Sequence, residues 1–101
     1  LSIAFRFGGK TISGVGFELY QNQPNPFVNH TSIGFFLPEE AVATLSVIDE
    51  TGLVVFQQKG WYGKGENNIA LNRGLLNSTG LLYYRLETAT DSATKKMIQM
   101  K

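Results

Sequence analysis

His30 is the only histidine of the chain and stands between Asn29 and Thr31, just ahead of an alternating apolar segment. Imidazole is the side chain best suited to move protons near neutral pH. A Ser-His-Asp relay would also need a nucleophile elbow, and no Gly-x-Ser-x-Gly occurs, so a solvated loop residue is expected. Glu39 and Glu40 could act as an acid–base pair only if both met one substrate. Adjacent residues on a strand face opposite ways, so these two read as a solvated turn. With no cysteine there is no thiol nucleophile, thiolate metal site or disulfide. No Gly-rich loop leads from a strand into a helix, and no His/Asp/Glu cluster has ligand spacing, so neither metal nor cofactor is expected and no enzymatic role is assigned. The aromatic residues are the remaining chemistry. Trp61, Tyr62, Tyr83 and Tyr84 could offer flat faces to a sugar ring. For Tyr83 and Tyr84, strand alternation predicts one in the core and one at the rim. Trp61, in the glycine-flanked stretch 60–65, is the better surface candidate.

The 101 residues carry nine Lys+Arg against eight Asp+Glu, a net charge of +1. That field is too weak to single out nucleic acid or membrane phosphates as partners. The size permits one compact domain, and no run of about 18 apolar residues exists to insert into a bilayer as a helix. Leu1 is not an initiator Met and no basic, apolar leader follows it, so the sequence is expected to be a fragment, with any leader lying upstream of it.

The elements that must position these residues follow from period-two alternation. Leu1, Ile3, Phe5 and Phe7 alternate with Ser2, Ala4 and Arg6; Val15, Phe17 and Leu19 form a second set; Ile33, Phe35 and Leu37 a third, ended by Pro38. Ala43, Leu45 and Val47 lead through the turn Asp49-Glu50-Thr51-Gly52 into Leu53-Val54-Val55-Phe56, a hairpin signature. Residues 60–65 are predicted to be a loop with aromatic anchors, and residues 39–42 at most one helical turn. A short strand is expected at Ile69 and Leu71, a turn over 77–80, an aromatic strand at Leu82, Tyr84 and Leu86, and a closing strand with Ile98 and Met100 in phase. Seven to eight short strands without a helical stripe predict an all-β, antiparallel sandwich. Residues 1–17 are expected to be an upstream strand and linker, and 18–101 the domain proper.

One stretch is far more specific. Leu19-Tyr20-Gln21-Asn22-Gln23-Pro24-Asn25-Pro26-Phe27 has two prolines that fix φ and remove donors, with aromatic residues able to pin each end. Together with Thr31-Ser32-Ile33, Leu37-Pro38, Asp49-Glu50-Thr51-Gly52, Gly80-Leu81-Leu82-Tyr83-Tyr84-Arg85-Leu86 and Ala93-Thr94-Lys95-Lys96-Met97-Ile98, it resembles the C-terminal sorting domain (type A) of the type IX, or Por, secretion system of Bacteroidetes. The resemblance covers about residues 18–101. It implies an immunoglobulin-like module at the end of a larger cargo protein, directing export through the periplasm and outer membrane to the cell surface or beyond. Its implied partners are the type IX translocon, shuttle proteins, a sortase-like peptidase that removes the domain, and the covalent upstream cargo. Carried over by position, the family's opening motif falls on Pro24, Asn25, Pro26 and Phe27, its structural positions on Asp49, Gly52, Gly80, Tyr83, Tyr84 and Leu86, and its recognition segment on Lys95, Lys96, Met97, Ile98, Met100 and Lys101. Val28-Asn29-His30 departs from the small residues usual after Asn-Pro-Phe.

Three of the nine basic residues fall in the last seven positions, so the near-neutral total hides a basic tail. Alone, such a tail reads as an edge strand kept soluble by charge; with the resemblance it reads as a recognition strand. The competing reading is a carbohydrate-binding or adhesive module built on Trp61 and Tyr62. Asn29-His30-Thr31 and Asn77-Ser78-Thr79 match the N-glycosylation pattern, and Asp91-Ser92-Ala93 resembles a Bacteroidetes O-glycosylation acceptor. The glycine-rich stretch 8–16 is the expected site of proteolytic release.

Overall fold

The computed structural model describes residues 16–76 and 79–101. The chain runs through β1 (Glu18–Leu19), β2 (His30–Leu37), β3 (Ala41–Asp49), β4 (Val54–Tyr62), β5 (Gly65–Asn72), the one-turn helix α1 (Arg73–Leu76), β6 (Gly80–Glu87) and β7 (Ser92–Gln99). These strands form two antiparallel sheets, β1-β2-β5 and β4-β3-β6-β7, making the all-β sandwich that the alternation predicts. In a constant-type immunoglobulin domain the fourth strand joins the first sheet; here β4 pairs with β3 instead. The expected strand at residues 1–7, the linker after it and the Asn77 sequon lie outside the described residues.

Period-two positions build the core. Ile33, Phe35 and Leu37 of β2 and Ile69 and Leu71 of β5 meet Ala43, Leu45 and Val47 of β3, Leu82, Tyr84 and Leu86 of β6, and Met97 of β7, all buried. Each large apolar side chain withdrawn from water contributes roughly 1.5–3 kcal/mol, so this paired alternation supplies the main driving force. One extra residue interrupts it. Val47 pairs with Phe56 but Ile48 with Val54, leaving Val55 in a bulge. The bulge lets Val55 and Phe56 both pack on the core while Val54 points out.

Two expectations about local structure are corrected, and one element is added. Residues 60–62 are not loop: Gly60, Trp61 and Tyr62 complete β4 and pair with Ala43, Val42 and Ala41. Gly60 lies against the Tyr62 ring, which a Cβ there would meet at 3.4 Å, an ordinary van der Waals contact. That ring in turn packs edge-on against Phe35 with centroids 5.2 Å apart. The same pairing places Ala41 and Val42 in β3, so residues 39–42 form no helical turn. The unforeseen helix α1 begins where Asn72 Oδ1 accepts the Leu75 N–H at 3.2 Å, and it buries Leu76.

The turn from β3 to β4 is organised by Asp49. Its Oδ1 accepts from Thr51 Oγ1 (2.6 Å), Thr51 N (2.9 Å) and Leu53 N (3.0 Å), while Gly52 takes φ +93°. The Thr51 hydroxyl foremost, then the backbone N–H groups, hold its carboxyl below the ordinary value of 3.8. A depressed folded pKa gives stability that is present above the unfolded value and lost as pH falls through the folded one. Asp49→Asn is therefore expected to flatten the acid limb of a stability–pH curve below about pH 4, read by urea denaturation at stepped pH; an unchanged acid limb contradicts this role.

Candidate functional site

The two segments singled out for recognition, 24–27 and 95–101, meet in the fold. Phe27 leaves β1's side of the sandwich and lies parallel to the end of β7, bridging to Gln99. Its N–H donates to Ile98 O (3.0 Å), and its carbonyl accepts from Met100 N (2.8 Å). Ile98 N donates to Asn25 Oδ1 (3.0 Å), and Gln21 Nε2 donates to Lys96 O (2.7 Å). Residues 21–27 thus form a strap along the outer edge of β7 from Lys96 to Met100. Phe27, 1% exposed, anchors it in the core.

Prolines suit this strap because the bonds it makes to β7 come from Phe27's backbone and two side-chain amides. Pro24 and Pro26 have no N–H to leave unsatisfied. Both of their peptide bonds are cis. The Pro24 carbonyl, which turns inward, is served by two donors: Asn22 Nδ2 at 3.1 Å and Thr31 Oγ1 at 2.9 Å. Asn22 Nδ2 also reaches Thr31 Oγ1 (3.0 Å), and Asn22 Oδ1 accepts from Gln21 Nε2 (2.7 Å). Asn22 and Thr31 are both buried.

Tyr84 ties this network to the second sheet. Its hydroxyl donates to Tyr20 O (2.7 Å) and accepts from Asn22 N (2.9 Å). Burial pushes its phenol pKa above the ordinary value, against a smaller opposing effect of the Asn22 N–H, so the hydroxyl stays protonated and can donate. Tyr20 is pinned further by its own hydroxyl, which donates to Glu66 Oε2 at 3.0 Å. The inward polar atoms of Asn22, Pro24, Thr31 and Tyr84 thus have partners, as a buried network requires.

The tail residues separate by face. Met97 is buried, Lys95 is half-buried on the same inward side, and Lys96, Ile98 and Met100 point outward. Lys101 is exposed. Gln99 is turned inward and buried, and its amide has no hydrogen-bond partner among the described residues. Gly80 opposes Gln99 across the ladder at φ +95°, a conformation suited to glycine. Tyr83 lies half-buried on the outer face and Tyr84 in the core, the division expected for them, and Leu86 is buried. Asp49 and Gly52 sit at the β3–β4 turn, away from the strap. His30 opens β2 and is exposed, as are Glu39 and Glu40. Trp61, 65% exposed, stands on the outer face beside Val42.

Gln21, Asn22 and Thr31 fall inside the motif blocks, but the sequence alone assigned them no role. A signal for them existed in the prolines: carbonyls in a segment short of N–H groups need donors from side chains, and amides stand next to them at positions 21 and 22.

Among the described residues, no group of His, Cys, Asp and Glu could hold a metal ion, and no helix is long and apolar enough to cross a membrane. No curated protein matches the chain. The sequence model of the secretion system C-terminal sorting domain, the Por secretion tail, matches residues 22–100, from the buried Asn22 of the strap to the Met100 that it holds. With most of its length inside that match, the chain belongs to the family of secretion system C-terminal sorting domains of the type IX pathway.

Proposed function

We infer that this domain is the address by which a covalently attached upstream cargo is carried through the periplasm, handed by shuttle proteins to the type IX translocon, and released at the surface when a sortase-like peptidase removes the domain. Family membership supports export across the outer membrane toward the cell surface or extracellular space. The observation that carries the finer reading is the strap: Asn25 and Phe27 hold Ile98 and Met100 in a fixed frame. A signal read by another protein must be presented in one conformation, and preorganisation lowers the ordering cost of binding. On this reading Pro24, Asn25, Pro26 and Phe27 position the signal, and the outward residues Lys96, Ile98, Met100 and Lys101 present it. Lys95 and Met97 secure the strand from within. Residues 1–17 serve as the junction with the cargo, and 18–101 as the folded address.

The test fuses residues 1–101 behind a periplasm-directed reporter in a type IX-competent bacterium, with and without residues 95–101. The intact fusion is expected outside the cell and the shortened one in the periplasm. Equal export of both, or of neither, contradicts the proposal.

A further inference from the structure

We propose that the export apparatus reads a face of the four-stranded sheet, not the terminal strand alone: an apolar, cationic surface assembled from β3, β4, β6 and β7 at the end of the sheet bearing the β3–β4 turn. The proposal rests on the sorting reading above and names the surface that serves it.

The strand register builds this surface row by row. Val54 pairs with Ile48, Ile48 with Tyr83, and Tyr83 with Lys96, so one row crosses all four strands. In the next row Leu81 pairs with Ile98. Cross-strand partners face the same side, and none of these side chains belongs to the buried core. Val54 is 46% exposed and Ile98 44%, with Ile48, Leu81 and Tyr83 half-buried between them. At about 4.8 Å between strands, the row spans roughly 14 Å. Outward residues of an antiparallel sheet are normally polar, and a contiguous apolar block on a sheet face marks an interaction site.

Charge selects the occupant. Among the described residues, the ion pair joins Arg85 Nε to Glu87 Oε1 at 3.4 Å on this same face, and none is formed by the outward-facing Lys96. A protein surface that is apolar at its centre and carries a carboxylate opposite Lys96 complements it. Only Lys96 and Ile98 of this surface come from the terminal segment; the other four residues are brought to them by the fold. The tail therefore acts as part of a face that exists only in the folded domain.

The experiment uses the full-chain reporter fusion. Ile48→Ser/Tyr83→Ser and, separately, Lys96→Glu are expected to lower export at least tenfold. Val42→Ser/Trp61→Ser removes apolar side chains from the other end of the same face and is expected to export as the parent does. Tertiary circular dichroism of each purified variant reports folding; should Ile48→Ser/Tyr83→Ser lose its signal, Ile98→Ser, at an exposed position, decides together with Lys96→Glu. Export of the folded Ile48, Ile98 and Lys96 variants within twofold of the parent overturns the face while leaving the sorting reading intact. So does an equal loss in the Val42/Trp61 control. A parent fusion retained in the periplasm overturns both readings. A parent domain that is dimeric by light scattering and made monomeric by Ile48→Ser/Tyr83→Ser assigns the face to a second copy and overturns the proposal.

Discussion

Phe27→Ala is expected to destabilise the domain by about 3–5 kcal/mol, the range for removing a fully buried aromatic ring and leaving a cavity. Domains of this size have total stabilities of about 5–15 kcal/mol, so a large share is at stake. Phe27 is the strap's anchor: its ring is in the core, and its backbone donates to Ile98 O and accepts from Met100 N. Losing the ring keeps both backbone groups but removes what holds them against β7. Two measurements separate the effects. Urea denaturation should show a lower midpoint with an unchanged slope, and hydrogen exchange should show the Ile98 and Met100 amides opening well before those of β3. The neighbouring Val28→Ala, at an exposed position, should stay within about 0.5 kcal/mol. A loss below 1 kcal/mol in Phe27→Ala contradicts the anchoring role.

Tyr84→Phe is the second large effect, from a single oxygen. The ring still fills the core, but the Asn22 N–H loses its acceptor at 2.9 Å and the Tyr20 carbonyl its donor at 2.7 Å. A buried polar group left unpaired costs about 1–3 kcal/mol, so two of them should lower stability by about 2–4 kcal/mol together. A pH signature accompanies it. The phenol's folded pKa is raised, so its contribution is complete below the unfolded value of 10.0 and declines as pH rises through the folded one. Tyr84→Phe should therefore shift stability downward at neutral pH and also make the decline above pH 10 shallower. Equal stability of the variant and the parent at pH 7 would show that the oxygen holds nothing.

What was legible in the sequence was local. Ile33-Gly34-Phe35-Phe36-Leu37 and Leu82-Tyr83-Tyr84-Arg85-Leu86 declare strands because successive side chains must face opposite sides, and both are strands of the sandwich. Residues 60–65 misled because glycine is the usual mark of a turn, and Gly60 turns no corner: it lies within β4, paired with Ala43. The motif at residues 24–27 was visible as a motif, but its partner was not. Asn25 and Ile98 are separated by 73 positions, and nothing in either segment specifies the other until two sheets have been stacked. Lys95 and Lys96 looked like one cluster; alternation sends them to opposite faces, an outcome the same period-two rule contains once the strand's boundaries are known.

The bond between Gln21 and Lys96 closes a loop of 75 positions. Closing so long a loop carries an entropy cost that the contacts around it must offset. During synthesis the strap's bonds to β7 wait for residues 96, 98 and 100, whereas its bonds to Thr31 and Ser32 have partners within ten positions. A chain ending before residue 96 would keep the strap's bonds to β2 and Tyr84 but lack each of the hydrogen bonds that fasten it along β7.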